Sequence, residues 1–403
     1  MKELRKLLFI SPVWPDPAGS GREKRAALWL RSLGEEYDVH LLVLQSSCSA
    51  GMQVKSDRER LIQVHFSALS KFLYLFSFLF SLIAGRRLAG TPLCFWLPLG
   101  RPQKKQLLDA YPDVVFDKIL CFRLYLSEYA GFFSSLPGRP TTELDMDDLE
   151  SDTWDKIAAL HRKKREWKKW LFCRLTAFQF RRNEGRACAL FPVIYICSQD
   201  DQHLLQRRYE HPDVRVFVNK IFGRARSPRI SAPTSNLVFT GSLGYYPNEE
   251  AVVWFIRHVL PKLRSSSKEI CLHIAGFSAP ARLEALFAST PGLVFYRDLD
   301  DIEKLYARGA VAISPLHAGG GTKLKVIEAM WFGLPVVASS ESARGLGLRH
   351  GEHYLLADSP EDFIAACTAL LQDESLYRRI SANGNRWIGE HYSFVEKRPE
   401  PVL

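Results

Sequence analysis

Residues 310–339 read AVAISPLHAGGGTKLKVIEAMWFGLPVVAS, and this stretch decides the fold of the 403-residue chain. It runs from a predicted strand through three glycines and a short helix to a second predicted strand. A glycine-rich turn lets backbone N–H groups approach a phosphate closely, and the helix N-terminus behind it adds partial positive charge. Lys325 and Glu328 are three residues apart and share one helix face, with Thr322 a further turn back. The stretch therefore predicts an anion cradle followed by a carboxylate.

The order of these groups suits a nucleoside diphosphate. The loop amides with Lys323 or Lys325 would meet the diphosphate, and Glu328 would hold the ribose diol. A purely structural interpretation stays open, in which the glycines make a tight turn and the lysines are solvated. Gly333 followed by Pro335 predicts a left-handed helix C-cap before the second strand, which fixes the position of the helix.

The same residues carry a family resemblance. The string GGGTKLKVIEAMWFGLPVVAS, followed by Ala343, Gly345, Leu346 and then HYLLADSPEDF, resembles the donor-site signature of family 4 glycosyltransferases. The resemblance is strong over 223–392 and weaker over the N-terminal half. It implies an α/β fold of the GT-B class, in which two Rossmann-like domains with parallel sheets face a central cleft. It also implies a retaining reaction that consumes a nucleotide sugar.

Length and patterning agree with two domains. A chain of 403 residues exceeds the size at which one hydrophobic core stops growing, and apolar strand-like runs alternate with helical patterns from end to end. The stretch 219–233 loses periodicity and is rich in Arg, Ser and Pro, so it is the predicted boundary. We expect an acceptor-side domain over 1–222 and a nucleotide-sugar-binding domain over 223–375. The resemblance further implies that a C-terminal helix, within 376–403, packs back on the first domain.

Cysteine usage and hydropathy bear on the compartment. The eight cysteines include no C-x-x-C pair, which argues against a zinc site and a disulfide framework and favours a cytoplasmic protein. The N-terminal MKELRKLLFIS does not have the pattern of an export signal. The apolar run 72–84 has 13 residues, fewer than the roughly 20 that span a bilayer. A buried helix and a segment lying among lipid headgroups both stay open for it.

The basic excess lies in the first half of the chain. Residues 1–220 hold 34 Lys and Arg against 25 Asp and Glu, and much of this charge is in HRKKREWKKW, residues 161–170. Such a helix can lie on an anionic membrane surface as a peripheral protein does, or its Trp167, Leu171 and Phe178 can pack inward behind a solvated basic face. Nucleic acid is not expected as a partner, because no nucleic-acid-binding motif accompanies the charge. Four further arginines extend the stretch: Arg174, Arg181, Arg182 and Arg186.

Each predicted domain opens with a strand and a turn. In the first, the strand 7–11 leads into Gly19-Ser20-Gly21, which is half of a dinucleotide fingerprint. The resemblance implies that Gly19 and Gly21 form a loop that touches acceptor or donor phosphate, although a plain strand-to-helix turn stays open. A dehydrogenase is disfavoured, since no complete G-x-G-x-x-G follows a predicted strand.

In the second domain Gly241 and Ser242 end a strand, and Asn248 can cap the following helix. Family members carry an Arg or Lys pair after this strand to hold the diphosphate, and this chain does not. The positive charge must come mainly from Lys323 and Lys325.

A further departure concerns the E-x7-E pattern of the family, in which the first Glu contacts the sugar and the second holds the ribose. Glu328 matches the second, but Gly320 stands at the position of the first. The sugar therefore cannot be inferred from relatives that keep both acids.

The acidic stretch LDMDDLESD, residues 144–152, follows a predicted strand of the first domain and has five carboxylates with no basic residue among them. By the register of the family motif, Asp147 and Asp148 lie near the reacting sugar, where a carboxylate accepts the acceptor's proton or stabilises positive charge at the anomeric carbon. Asp148 or Ser151 capping the next helix is an equally open interpretation. No metal or other cofactor is expected, because GT-B enzymes stabilise the leaving diphosphate with protein donors.

The function that follows is transfer of a sugar from a nucleoside-diphosphate sugar to an acceptor hydroxyl of a glycan or lipid-linked acceptor, in surface polysaccharide or lipid-linked glycan synthesis. Alternatives are a catalytically silent nucleotide-sugar-binding protein and a GT-B nucleotide-sugar epimerase. The predicted catalytic residues are Asp147, Asp148 and Lys325. Arg297 is expected at the nucleobase. The donor-site candidates are Gly241, Ser242, Asn248, Arg297, Gly319, Gly320, Gly321, Thr322, Lys323, Lys325 and Glu328.

Overall fold

The chain forms two compact units, Met1–Asn219 and Lys220–Leu403. The division falls at the start of the Arg-, Ser- and Pro-rich stretch, three residues before the predicted boundary. The assignment of an acceptor role to one unit and a donor role to the other stays a prediction. The computed structural model describes residues 4–45, 58–63, 99–112, 114–135, 138–211, 213–229, 234–299 and 301–395, so the apolar run 72–84 lies outside the described residues.

The first unit is built on a parallel sheet of seven described strands in the order β3-β2-β1-β4-β5-β6-β7. The interior strand β1, Arg5–Ser11, buries Leu7, Leu8, Phe9 and Ile10 completely, as a strand covered by helices on both faces must. The strands are β1 Arg5–Ser11, β2 Tyr37–Gln45, β3 Glu59–Gln63, β4 Lys118–Phe122, β5 Thr141–Asp147, β6 Val193–Ile196 and β7 Val214–Val216. The helices are α1 Gly21–Gly34, α2 Arg101–Ala110, α3 Ser127–Ser134, α4 Glu150–Lys163, α5 Trp167–Leu190 and α6 Gln199–Tyr209.

The second unit repeats this plan with six parallel strands in the order β11-β10-β9-β12-β13-β14, and a separate short pair, β15-β8, that the sequence did not predict. The strands are β8 Ile221–Phe222, β9 Asn236–Thr240, β10 Cys271–Gly276, β11 Leu293–Arg297, β12 Val311–Ser314, β13 Val336–Ala338, β14 Leu355–Leu356 and β15 Ser393–Phe394. The helices are α7 Tyr246–His258, α8 Leu260–Ser266, α9 Ala281–Ser289, α10 Ile302–Arg308, α11 Leu324–Trp331, α12 Ser340–Ala343, α13 Pro360–Gln372 and α14 Glu374–His391.

Both sheets have the strand order of a doubly wound Rossmann fold. In the second unit the direction of winding reverses between β9 and β12, which are neighbours in the sheet. Ligands of such sheets bind outside the carboxyl ends of the strands at this reversal. The loop after β9 begins at Gly241 and the loop after β12 contains Gly319, so the fold brings these two predicted segments to one edge of one sheet.

The short helix α11 ends as the sequence predicted. Gly333 has φ +75°, its N–H donates to the Met330 carbonyl at 2.9 Å, and the Leu334 N–H donates to the Ala329 carbonyl at 2.9 Å. These two bonds form a Schellman motif, which satisfies carbonyl groups at the helix end. The predicted glycine C-cap is therefore confirmed.

The last helix, α14, lies in the second unit and packs on α11 and α13. Its Asn385 amide donates to the carbonyls of Met330 at 2.8 Å and Trp331 at 3.2 Å, and Ser381 Oγ donates to the Gly333 carbonyl at 2.7 Å. These bonds hold the carboxyl end of α11. Packing of the 376–403 segment on the first domain stays a prediction.

Within the described part of the chain, no helix is both long enough and apolar enough to cross a bilayer.

Candidate functional site

The glycine loop before α11 needs its glycines. Gly319 has φ +141° and Gly321 has φ +64°, conformations that other residues adopt only at a cost. The loop closes around the ammonium of Lys323, which donates to the carbonyls of Gly319 at 3.0 Å and Gly321 at 3.2 Å, and lies 3.4 Å from Glu341 Oε1. Lys323 is only 5% exposed. It therefore shapes the loop from inside, and the prediction that it offers its ammonium to a phosphate is not supported by this position.

Serine hydroxyl groups fix the start of the same loop. Ser339 Oγ donates to the Leu316 carbonyl at 2.5 Å, and Ser342 Oγ donates to the Ser314 carbonyl at 2.6 Å. Both bonds join the loop after β13 to the end of β12. The loop is thus held rigidly before the N-terminus of α11, where among the described residues no side chain accepts a cap bond.

Lys325 lies on the first turn of α11. Its ammonium donates to Asn248 Oδ1 at 2.5 Å and lies 4.3 Å from the centre of the Phe239 ring. Burial lowers the pKa of Lys325 to about 7, with Glu328 opposing the shift and Lys323 adding to it. A lysine whose charge is this poorly compensated gains from a bound anion more than a solvated lysine does.

Asn248 and Gly241 complete the surroundings of Lys325. The Asn248 amide donates to the Ser242 carbonyl at 2.8 Å, which ties α7 to the loop after β9. Asn248 is the third residue of α7, whose N-cap is Tyr245, so the prediction that Asn248 caps the helix is wrong. A Cβ at Gly241 would lie 2.8 Å from Asn248 Nδ2 and 3.0 Å from Lys325 Nζ, which explains the glycine there.

Glu328 lies one turn beyond Lys325 on α11, as predicted, and is partly exposed. It forms a hydrogen bond with the Tyr306 hydroxyl, which also lies 3.0 Å from Thr240 Oγ1. Burial raises the pKa of Tyr306, and the Glu328 carboxylate raises it further. Tyr306 comes from α10 and is buried, so no sequence motif identifies it as the residue that orients Glu328.

Arg297 lies elsewhere. It ends the edge strand β11, two strands from β9, and pairs with Glu284 on α9. Its contact with a nucleobase stays a prediction. Two aromatic residues that the sequence analysis overlooked, Tyr245 and Phe277, expose 40% and 45% of their surface on the loops after β9 and β10. The Leu243 N–H donates to the Phe277 carbonyl at 2.9 Å, so these loops are joined.

The glycine pair Gly19 and Gly21 starts α1 of the first unit. The Ser20 N–H donates to Glu23 Oε2 at 2.6 Å in a capping box, and a Cβ at Gly19 would lie 2.5 Å from the same carboxylate oxygen. An anion at this helix N-terminus would compete with Glu23. The contacts favour the plain strand-to-helix turn over a phosphate loop.

The acidic stretch of the first unit has basic partners from distant parts of the chain. Arg25 of α1 donates through Nε and Nη2 to both oxygens of Asp145, each at 2.7 Å, and through Nη1 to Asn219 Oδ1 at 2.8 Å. Trp29 Nε1 also donates to Asp145, at 2.6 Å. Asp145 is completely buried, so this paired charge holds β5 to α1.

The next carboxylates surround Arg123, which follows β4. The Arg123 guanidinium donates to Asp147 Oδ2 at 2.8 Å, to Asp148 Oδ1 at 3.0 Å and to Glu150. Burial opposes the charge on Arg123, but the carboxylates outweigh it and raise its pKa, while burial raises the pKa of Glu150. Arg123 has φ +84° and Asp147 has φ +66°, strained conformations of the kind found at functional sites.

The helix-capping interpretation of this stretch is wrong. The N-cap of α4 is Leu149, and no side chain accepts a cap bond there. Asp148 instead accepts from Thr153 Oγ1 at 3.3 Å, and Ser151 Oγ donates to Glu184 at 2.7 Å. Within the described ranges, no three His, Cys, Asp or Glu side chains are grouped so that they could hold a metal ion.

Comparisons with known proteins bear on both units. A family model described as Glycosyl transferases group 1 matches residues 234–373, about a third of the chain, which include all six strands of the second sheet. An uncharacterized 44.6 kDa protein in the cps region of Klebsiella pneumoniae is 26% identical over 164 residues, which are 39% of this chain and 42% of that protein. The chain thus matches less than half the length of this curated relative.

Solved structures match over nearly the whole chain. Sucrose-phosphate synthase of Thermosynechococcus elongatus has a TM-score of 0.66 at 14% identity and covers 96% of this chain and 95% of its own. HepE of Anabaena, solved with UDP and glucose, has a TM-score of 0.63 at 13% identity and covers 96% of both chains. TarM of S. aureus has a TM-score of 0.64 at 8% identity and covers 97% of both.

The fold is GT-B. This confirms the predicted α/β class with parallel sheets. The family model and the fold together support a GT-B glycosyltransferase. At these identities the solved structures show the fold alone.

Proposed function

We propose that the chain is a retaining, family 4-type glycosyltransferase that moves a sugar from a nucleoside-diphosphate sugar to an acceptor hydroxyl. The observation that carries the proposal is the grouping of the Gly319–Thr322 loop, Lys325 and Glu328 at the strand-order reversal of the second sheet. Glycine amides, an undercompensated ammonium and an oriented carboxylate follow one another there along one short helix. This is the order of diphosphate and ribose in a sugar nucleotide.

The donor would be held by three kinds of contact. The loop amides and the N-terminus of α11 bind the diphosphate oxygens, since a helix N-terminus favours anions. Lys325 supplies the full positive charge, and Asn248 keeps its ammonium in place at 2.5 Å. Glu328, oriented by Tyr306, accepts hydrogen bonds from the two ribose hydroxyls.

Lys325 is also the residue that assists bond cleavage in this proposal. Negative charge accumulates on the diphosphate as the glycosidic bond breaks, and a fixed cation in a poorly solvated position stabilises that charge. Lys323 contributes indirectly, because its ammonium fixes the carbonyls of Gly319 and Gly321 and so the shape of the loop. No metal is invoked, so the charge balance rests on these protein groups.

Asp147 and Asp148 are proposed to act on the acceptor side, as the resemblance implies. A carboxylate there accepts the proton of the acceptor hydroxyl or stabilises positive charge on the anomeric carbon. Their pairing with Arg123 fixes the direction of both carboxylates. Asp147, with its strained backbone and its position at the end of β5, is the stronger candidate of the two.

Two of the similar proteins suggest which donor and which acceptor to test first. HepE, a neighbour at 13% identity, was solved with UDP and glucose, which makes UDP-glucose the first donor to test. The matching Klebsiella pneumoniae protein is described by its cps region, which favours a glycan or lipid-linked glycan acceptor in polysaccharide synthesis.

Gly320 favours one competing function. It stands where the family has its sugar-contacting carboxylate, so a protein that binds the nucleotide sugar without turnover is the second candidate. An epimerase of the same fold is a third, but the register GGGTKLKVIEAM disfavours it.

The test is release of nucleoside diphosphate from a panel of nucleotide sugars on addition of acceptor extract. A transferase releases diphosphate only when acceptor and the correct donor are both present. Tight donor binding without release would identify a binding protein. A changed sugar without loss of the nucleotide would identify an epimerase.

A further inference from the structure

The outward side of α5 carries large apolar side chains. Trp167, Leu171 and Phe178 expose 58%, 51% and 47% of their surface. At 3.6 residues per turn the three lie within an arc of about 40° around the helix axis. The inward side of α5 is filled by others, including Cys173 and Phe180, which are buried. The interpretation in which the three pack inward is therefore wrong, and we name this surface the α5 outer face.

The face is wider than one row of side chains. Phe172 exposes 56% of its surface and forms a T-shaped contact with Trp154, with ring centroids 6.0 Å apart. Trp170 meets Trp167 edge-on at 6.1 Å. Exposed apolar side chains grouped on one face and rimmed by polar residues mark a surface that binds something.

Positive charge surrounds the α5 outer face. Residues 161–182 contain nine Lys and Arg and one acidic residue, Glu166. Glu166 pairs with Lys169 at 2.7 Å, and Asp155 pairs with Arg174 at 2.6 Å and with Arg181. Further basic residues lie at the α4–α5 turn and beside the apolar row: Arg162, Lys163, Arg165, Lys168 and Arg182.

The combination decides between kinds of partner. The core of a protein–protein interface is depleted in lysine, whereas a helix that lies on a membrane pairs Trp, Phe and Leu with Lys and Arg at the headgroup level. Each basic side chain near an anionic leaflet adds to binding, and tryptophan prefers the membrane–water interface. Charge complementarity therefore points to a negatively charged lipid surface.

We propose that the α5 outer face binds the surface of an anionic bilayer. Trp167, Leu171 and Phe178 enter the headgroup region, and Lys168 and Arg182 contact lipid phosphates beside them. The helix lies along the surface and does not cross it. The proposal is independent of the proposed reaction, since it concerns a face of the first unit that carries none of the donor-site residues.

The test is co-sedimentation of the full chain with vesicles of phosphatidylcholine alone or with about 30% phosphatidylglycerol. We expect binding to the anionic vesicles that weakens as salt rises to about 0.5 M. Trp167→Ser combined with Leu171→Ser should lower the partition coefficient at least about tenfold, because two exposed apolar side chains no longer enter the lipid. Leu190→Ser is the matched control: Leu190 is on the same helix and 73% exposed. It lies roughly 28 Å from Leu171 along the axis and should change binding less than about twofold.

Lys168→Glu provides a second variant that leaves the apolar row intact, and it should weaken binding to anionic vesicles only. Unchanged thermal unfolding midpoints confirm that each variant folds. Equal binding to both kinds of vesicle, or equal binding by the double variant and the wild type, overturns the proposal. So does a wild-type dimer in size-exclusion chromatography that the double variant converts to monomer without any lipid binding, because the occupant is then a second copy of the chain.

Discussion

The strongest quantitative prediction concerns Lys325 and pH. Its pKa in the unliganded protein is lowered to about 7, chiefly by burial. A diphosphate bound beside it favours the charged form, so binding should restore the pKa toward the ordinary value of about 10.4. Between these two values the bound state holds a proton that the free state lacks. Nucleotide affinity must therefore fall as pH rises from 7.

The magnitude follows from the same shift. At pH 7 about half of the free protein carries the charge, and at pH 9 only about 1% does, so the dissociation constant should increase about fifty-fold, or about 2.3 kcal/mol. The phosphate groups do not confound this range, because their last ionisation has a pKa of about 6. At pH 8 binding should take up about 0.9 proton per site.

Isothermal titration calorimetry with a nucleoside diphosphate, in buffers of different ionisation enthalpy from pH 7 to 9, measures both quantities. Lys325→Met, which keeps the length and removes the charge, should bind weakly and with no such slope. A wild-type dissociation constant that stays constant from pH 7 to 9 would show that Lys325 does not gain a proton on binding, and so would the full slope in the variant.

Other substitutions separate donor binding, stability and chemistry. Glu328→Ala should weaken nucleoside diphosphate binding by about ten- to a hundredfold, because charged hydrogen bonds to two ribose hydroxyls are lost. The affinity for inorganic pyrophosphate, which has no ribose, should be unaffected in a parallel titration. Gly333→Ala should lower the unfolding free energy by about 2–3 kcal/mol in urea denaturation, because its φ is +75° and the new Cβ would lie 2.5 Å from a backbone carbonyl oxygen. Gly351→Ala, at φ +73° with nothing within 4 Å, is its control and should cost only about 1 kcal/mol. Asp147→Asn should reduce turnover at least about tenfold with an unchanged donor dissociation constant, and equal losses in both would contradict an acceptor-side role.

Most of the fold could be predicted because it depends on local pattern. Buried strands such as β1 and β12 appear as short apolar runs between turns, and the Gly333 stop was readable because one residue type fits a left-handed position. In parallel α/β sheets the loops at the carboxyl ends of neighbouring strands meet where the direction of winding reverses. The grouping of Gly241 with Lys325 could therefore be expected once β9 and β12 were taken as neighbours.

The parts that could not be predicted depend on contacts between distant residues. Arg25 and Asp145 are 120 positions apart, and no local feature links them. Tyr306 reaches Glu328 from another helix. In a sequence, a charged residue near glycines suggests contact with a ligand. In the structure, however, the Lys323 ammonium donates to the Gly319 carbonyl of its own loop.

The sequence also could not predict which side chains of α5 are buried and which are exposed. Apolar residues at helical spacing usually mark the buried stripe, and the row with Trp167 fits that pattern as well as the truly buried row does. Which row is buried is decided by the packing of α4 against α5, which is a tertiary effect.

A crystal structure of the protein soaked with UDP would show whether the second unit holds a nucleoside diphosphate at the carboxyl ends of β9 and β12. We expect diphosphate oxygens within hydrogen-bonding distance of the Gly320 to Thr322 amides and of Lys325, with the ribose on Glu328. Nucleotide density elsewhere on the chain, with the glycine loop empty, would contradict it.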